Sequence, residues 1–230
     1  MSAPLRWRWL GQVPYTQALL AQRTRRDGIL AGQAAEELWL LEHPSVVTTG
    51  RRPVPDLDLA ALARRGVEVV PTERGGLATW HGPGQLVAYV LIDAEGRGLG
   101  ARGLVAALED TVIAWLAGLG LEAGRREGLP GVWVGRDKVC AVGLHLSRGV
   151  SMHGLALNLA PDLAICGLFT PCGVVDGGVG SVERLLGWAP RAEQAASTLG
   201  PALCEALSGA AQGPAARIFR DEVDARESRK

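Results

Sequence analysis

The sequence predicts a single α/β domain of the mixed, α+β kind. Helical and strand-like segments interleave without a strict strand–helix–strand alternation. Several strand pairs are joined by turns short enough for hairpins. The 230 residues, 47% hydrophobic and 21% charged, are enough to bury one sizeable core without metal or disulfide staples. The folded domain is expected over 1–212, followed by a polar, flexible segment over 213–230.

Leu5 to Leu10 alternates Arg with apolar residues, the pattern of a strand with one wet face. Pro14 then opens a helix that good helix formers carry to about Ala35. Leu38–Leu41 and Val46–Thr49 read as short strands on either side of His43-Pro44, where the proline keeps His43 out of a helix. Gly50-Arg51-Arg52-Pro53 reads as a turn, Asp58 caps a short helix to about Arg65, and Val67–Val70 reads as a buried strand. Leu86–Ile92 is a continuous apolar strand. Leu104–Leu119 is an amphipathic helix stopped at Gly118 or Gly120. Gly131–Val134, Val139–Leu146 and Ser151–Leu159 follow as strands, the last two joined by Ser147-Arg148-Gly149 as a hairpin. A loop and short helix carry Cys166 and Cys172. Gly180-Ser181 precedes a helix to about Leu186, and Glu193–Leu207 is the final long helix.

Composition excludes several classes. Lys+Arg and Asp+Glu number 24 each, so the general basic footprint of a nucleic-acid binder is missing. No apolar run approaches the roughly 20 residues of a membrane span. The Arg/Trp alternation near the N-terminus is unlike a signal peptide, and a cytoplasmic protein with reduced cysteines is expected. The four cysteines at 140, 166, 172 and 204 have no zinc-site spacing, so no metal is expected. Arg6, Arg8, Arg23, Arg25 and Arg26 precede any acidic residue and read as a local positive patch, either solvated or a dock for an acidic partner.

Four segments carry candidate chemistry. The first is Arg74-Gly75-Gly76-Leu77-Ala78-Thr79-Trp80-His81-Gly82-Pro83-Gly84-Gln85. Its four glycines let a ligand approach the backbone, and Arg74, Thr79, His81 and Gln85 can fix polar groups. It is neither a Walker loop nor a dinucleotide fingerprint. The second is Asp137-Lys138-Val139-Cys140-Ala141-Val142-Gly143. Of 24 basic residues only Lys138 and Lys230 are lysines, and only a lysine amine can lose its proton. Lys138 is either a partly desolvated catalytic amine at the rim of a core strand or a snorkelling surface lysine. The third is Thr170-Pro171-Cys172-Gly173, which puts Cys172 in a defined turn, as a nucleophile or as an incidental loop thiol. The fourth is His153-Gly154-Leu155-Ala156-Leu157-Asn158, a His-Gly pair within a strand, where backbone can meet a ligand or a core histidine can sit.

In this order and spacing the segments resemble the lipoyl(octanoyl) transferase family of lipoic acid biosynthesis, from about Trp9 to Leu207. Leu41-Glu42-His43-Pro44 and Gly50-Arg51-Arg52 are also similar to the family. Val90 and Gly180 depart from it, standing where a proline and a hydroxyl residue are usual. The resemblance implies the α/β core shared with biotin and lipoate protein ligases. It implies that Cys172 takes an octanoyl group from acyl carrier protein as a thioester. The lysine of a lipoyl domain, in a 2-oxoacid dehydrogenase or a glycine-cleavage protein, then takes it as an amide.

Lys138 would form a dyad with Cys172, lowering the thiol's pKa or accepting its proton. Arg74, Gly75, Gly76, Leu77, Ala78, Thr79, Trp80 and His81, with Ala141, Val142, Gly143, Gly154, Leu155 and Ala156, would bind the substrate. Backbone amides of the Gly75-Gly76 turn, Ala141–Gly143 and Gly154-Leu155 are candidate oxyanion donors. Thioester-to-amide transfer runs downhill, so neither ATP nor a metal is required, and a monomer is expected. The rival readings are an ATP-dependent lipoate or biotin ligase, a non-catalytic acyl-carrier or lipoyl-domain binder, and a cysteine thioesterase.

Overall fold

The computed structural model describes residues 4–52, 54, 57–168 and 177–208. Cys172, its neighbours Pro171 and Gly173, and the whole expected tail over 213–230 lie outside the described residues. In chain order the elements are β1 (Arg6–Gln12), α1 (Tyr15–Leu30), β2 (Glu37–Glu42), β3 (Val46–Thr49), α2 (Leu59–Arg64), β4 (Glu68–Pro71), β5 (Ala78–His81), β6 (Gln85–Leu91) and α3 (Ala101–Gly118). They continue with β7 (Gly124–Arg126), β8 (Leu129–Val134), β9 (Asp137–Ser147), β10 (Val150–Asn158), a 3-10 turn at Leu163–Leu168, β11 (Gly178–Val179), α4 (Val182–Leu186) and α5 (Ala192–Ser208).

Eight strands form one mixed sheet in the order β1-β2-β6-β10-β9-β8-β7, with β11 pairing β9. β1 runs parallel to β2 and β11 parallel to β9, while the other pairs are antiparallel. α3 and α5 pack together against one apolar cluster, which holds Leu38, Leu86, Val90, Leu155 and Leu157. α1 contacts β6 and β10, and a second cluster joins its Tyr15 and Leu19 to Val87, Tyr89 and Met152. Every residue of β6 is buried, because helices cover both faces; this is why Leu86–Ile92 lacks alternation. A second sheet, β4-β3-β5, lies beside the first.

Local signals place several boundaries as expected. Arg148 and Gly149 both have positive φ, the geometry of a two-residue hairpin turn between β9 and β10. Asp58 accepts the Ala61 N–H, and Ser181 accepts the Arg184 N–H, capping α2 and α4.

Five elements differ from expectation. α1 stops at Leu30, not Ala35, because Gly32 turns left-handed and the Gln33 and Ala34 N–H groups go back to Gly28 O. Val67–Val70 is not a fully buried strand: β4 is an edge strand, with Glu68 exposed and Val69 half-buried. The glycine-rich segment is only partly a turn, since β5 within it pairs with β3. β7 and β11, three and two residues long, have too little pattern to be seen in sequence. α5 also contains Pro201, whose missing bond falls opposite the exposed Ser197 carbonyl.

The arginine patch is not a free positive surface. Glu37 pairs with Arg8 and Arg25, Glu73 with Arg23, and Asp27 with Arg26. Three of the four pairs join residues far apart in sequence, so the fold offsets part of a run that looks basic on paper, while exposed Arg6 is in none of these pairs. Among the described residues no helix is long and apolar enough to cross a membrane.

Candidate active site

The sheets enclose a cavity of about 440 Å³, within the range of small-molecule sites. Of the substrate-binding residues expected from sequence, Arg74, Gly75, Gly76, Leu77, Thr79, His81, Ala141, Val142, Gly143, Gly154, Leu155 and Ala156 line it, together with Lys138. Ala78 and Trp80 do not. Strand alternation in β5 turns both into the small core with Val47 and Leu62, leaving Leu77, Thr79 and His81 for the cavity. Trp80 borders a separate hollow of about 30 Å³, which Lys138, Thr79, Asn158 and Cys166 also line.

Arg74 holds the glycine segment in place. Its guanidinium donates to Thr48 Oγ1 and O and to Gly75 O, and it is buried. Gly75 N–H bonds Leu144 O at 3.1 Å, which clasps the segment onto β9 and occupies one expected oxyanion donor. Gly76 has φ +90, a conformation that favours glycine. Gly154 is required for a different reason: a Cβ there would collide with the Ala88 carbonyl oxygen on β6.

Lys138 is 7% exposed. It pairs with Trp133 on one edge of β9 and with Val179 on the other. Between the pairs Trp133–Lys138 and Val132–Cys140, β9 carries one extra residue, Val139. This bulge breaks the alternation: consecutive Val139 and Cys140 both join the apolar core, while Lys138 turns into the cavity. Its Nζ donates to Pro130 O at 3.0 Å and lies 4.8 Å from the Trp133 ring centroid.

A cluster of rings forms another wall. Gln85 Nε2 donates to Trp80 O and Asn158 Oδ1, so Gln85 Oε1 is the acceptor for His81 Nδ1–H at 2.7 Å. His81 Nε2 is then a bare lone pair. Burial, with the nearby His43 and Arg74, holds the His81 pKa well below its ordinary value despite the Gln85 bond. His43 Nδ1–H donates to Val13 O, and its Nε2 accepts from Tyr89 Oη at 2.7 Å. Burial lowers the His43 pKa to about 4. Tyr15 stacks on His81 with centroids 5.8 Å apart, and burial raises its pKa to about 12. At pH 7 this wall is neutral but polar.

His153 has φ 60 in the middle of β10. Alternation would place it with Leu155 in the α3–α5 core, but its ring meets Tyr89 and lines the cavity. Its N–H leaves the ladder and donates to Gln22 Oε1 of α1. Its Nε2 is buried without a partner, and burial lowers its pKa to about 4. Strain of this kind concentrates at functional sites.

Sequence reading missed Tyr15, Tyr89 and the β8 aromatic Trp133. One signal was available: the chain has only two tyrosines and four histidines. Both tyrosines and three of those histidines, at 81, 145 and 153, line this cavity, and His43 sits against the tyrosines.

Three comparisons bear on the site. The chain matches the family described as "Lipoyl protein ligase A/B catalytic domain" over residues 14–203. It is 46% identical over 197 residues to an octanoyltransferase of Chloroflexus aurantiacus, covering 83% of this chain and 88% of that protein. Among solved structures it is similar to a lipoate-protein ligase A bound with ATP, at 19% identity and a TM-score of 0.68, covering 90% of this chain and 86% of the other. It is also similar to the biotin protein ligase of Aquifex aeolicus in complex with biotin and ATP, at 14% identity and TM-score 0.54, covering 89% and 71%. The two structures show a shared fold.

Proposed function

The chain belongs to the octanoyltransferase family of lipoyl protein ligase A/B catalytic domains, and from that premise we propose that it moves an octanoyl group from acyl carrier protein to the lysine of a lipoyl domain. The observation that carries this reading is the setting of Lys138. The chain's only internal lysine is buried, turned by a bulge into a 440 Å³ cavity with a long apolar lining, and held there by a carbonyl and an indole.

In this reading the Cys172 thiolate attacks the donor thioester. The octanoyl carbon–sulfur bond to the carrier breaks, one to Cys172 forms, and the carrier sulfur leaves as a thiolate that takes up the proton Cys172 gave up. The acceptor amine then attacks the acyl-enzyme. The amide forms, the Cys172 thioester breaks, and the proton lost by the amine returns to the Cys172 sulfur. Lys138 supplies the positive charge that favours thiolate over thiol, since a free cysteine is only a few per cent ionised near pH 7. Val142, Leu155 and Ala156 hold the acyl chain, each buried methylene contributing about 0.8 kcal/mol.

The ligase reading shares the fold, but relatives 40–46% identical from Chloroflexus and Mycobacterium carry the name octanoyltransferase. A direct test incubates the protein with octanoyl-acyl carrier protein and an apo lipoyl domain in the absence of ATP, and measures the mass of the lipoyl domain. Octanoylation without nucleotide is expected. Modification only when free octanoate and ATP are supplied would establish the ligase reading instead.

A further inference from the structure

We infer that Trp133 is a positioning residue that holds the Lys138 head facing the cavity, and that Glu109 fixes the carbonyl completing that seat. The inference rests on the reading of Lys138 as the working cation of the site.

Lys138 and Trp133 are partners across β8 and β9, so strand pairing alone brings the ammonium over the indole at 4.8 Å. The ring cannot swing away, because its Nε1–H donates to Leu129 O at 3.2 Å and the residue is buried. The second support is Pro130 O, 3.0 Å from Nζ. That carbonyl is held from α3. Buried Glu109 accepts the next N–H, from Gly131, at 2.7 Å and is itself paired with Arg125 at 2.7 Å. Gly131 has φ +125, and a Cβ there would touch the Lys138 stem at 3.4 Å and collide with Cys140 O. The lysine stem is packed as tightly as its head is held.

The chemistry of the seat is selective. A π face and a carbonyl oxygen both favour an ammonium over a neutral amine. Neither carries a net charge, and among the described residues no carboxylate lies within ion-pair distance of Nζ. The charged groups around it are Arg126, whose guanidinium lies 4.7 Å from the same indole, Asp137 beside it on β9, and Glu109 from α3. The Lys138 head thus faces the cavity with no carboxylate paired to it among the described residues. That is the condition for stabilising an anion in the cavity; a salt-bridged lysine would have spent its field on its partner.

The chain's two lysines make the test direct. Each is acetylated competitively with a trace of acetic anhydride at one pH, and the peptides holding Lys138 and Lys230 are quantified by mass. In Trp133→Leu the labelling of Lys138 relative to Lys230 is expected to rise about threefold or more, because the head is no longer held against the ring. Trp133→Phe, which keeps a π face, should fall in between. A Lys138 to Lys230 ratio unchanged in Trp133→Leu overturns the inference. Should Trp133→Leu fail to fold, Trp133→Phe decides alone: a raised ratio supports the seat and an unchanged one removes it. The functional reading fails separately, if the wild-type protein modifies the lipoyl domain only when free octanoate and ATP are supplied.

Discussion

His81 donates its Nδ1–H to Gln85 Oε1 over 2.7 Å, and this bond leaves Nε2 as the acceptor nitrogen of the ring. Gln85 has no freedom to reverse its role, because its amide nitrogen is committed to Trp80 O and to Asn158, which in turn donates to Gly180 O. The chain of side chains runs from the cavity to Gly180, just past β11, and fixes a neutral histidine as an acceptor. Gln85→Leu would leave His81 free to flip its tautomer and Asn158 without its donor. A loss of about tenfold in kcat/KM is expected, with about 1–3 kcal/mol of stability. Steady-state transfer kinetics and thermal melts check this; a variant matching wild type in both would contradict it.

Acid should destabilise the fold before the carboxylates titrate. His43 and His153 have folded pKa values of about 4, each below the ordinary 6.5. The unfolded chain therefore binds more protons than the folded one between pH 6.5 and 4. Stability present above pH 6.5 is lost as pH falls through that window, by up to about 3 kcal/mol for each histidine. Denaturant midpoints should be flat above pH 7 and decline steadily below 6.5. His153→Asn should make the decline shallower. A flat profile down to pH 5 would contradict the burial of these rings.

Two glycines that both touch the cavity should respond differently to alanine. At Gly154 the added carbon collides with the Ala88 carbonyl, so β6 and β10 must separate. At Gly143 it would stand 3.6 Å from Gly75 O, an ordinary contact. Gly154→Ala is expected to lose about 1–3 kcal/mol or fail to fold. Gly143→Ala should fold normally while narrowing the cavity. Thermal melts of the two variants side by side give the answer.

The paired arginines near the N-terminus should matter little to donor recognition. Arg8→Ala and Arg25→Ala remove exposed or half-buried partners of Glu37, for which about 0–1 kcal/mol is expected. The KM for octanoyl-acyl carrier protein should stay within about twofold. A large rise would show that these side chains leave Glu37 to meet the carrier.

Much of this site was legible in the sequence because its signals are local. The lone internal lysine, the glycine segment, the hairpin at Arg148-Gly149 and the caps at Asp58 and Ser181 each need only a few neighbouring residues. What was not legible is non-local. Trp133 reaches Lys138 only through a strand register with a bulge. Tyr15, Tyr89 and His153 come from three separate elements and His43 from the connection between β2 and β3. The arginine run looked basic because Glu37 and Glu73 stand elsewhere in the chain. Ala78 and Trp80 were expected at the substrate with the rest of the glycine segment, yet β5 is a strand, and its period of two sent them the other way.

The central claim is that Cys172 carries the acyl group. The most direct measurement is the intact mass of the protein after mixing with octanoyl-acyl carrier protein, without ATP, for wild type and Cys172→Ser. Wild type is expected to gain one octanoyl group that hydroxylamine removes and that an apo lipoyl domain discharges, and the variant to gain none. A wild-type protein that octanoylates the lipoyl domain without ever carrying the adduct, or a Cys172→Ser variant that carries it, would contradict the account.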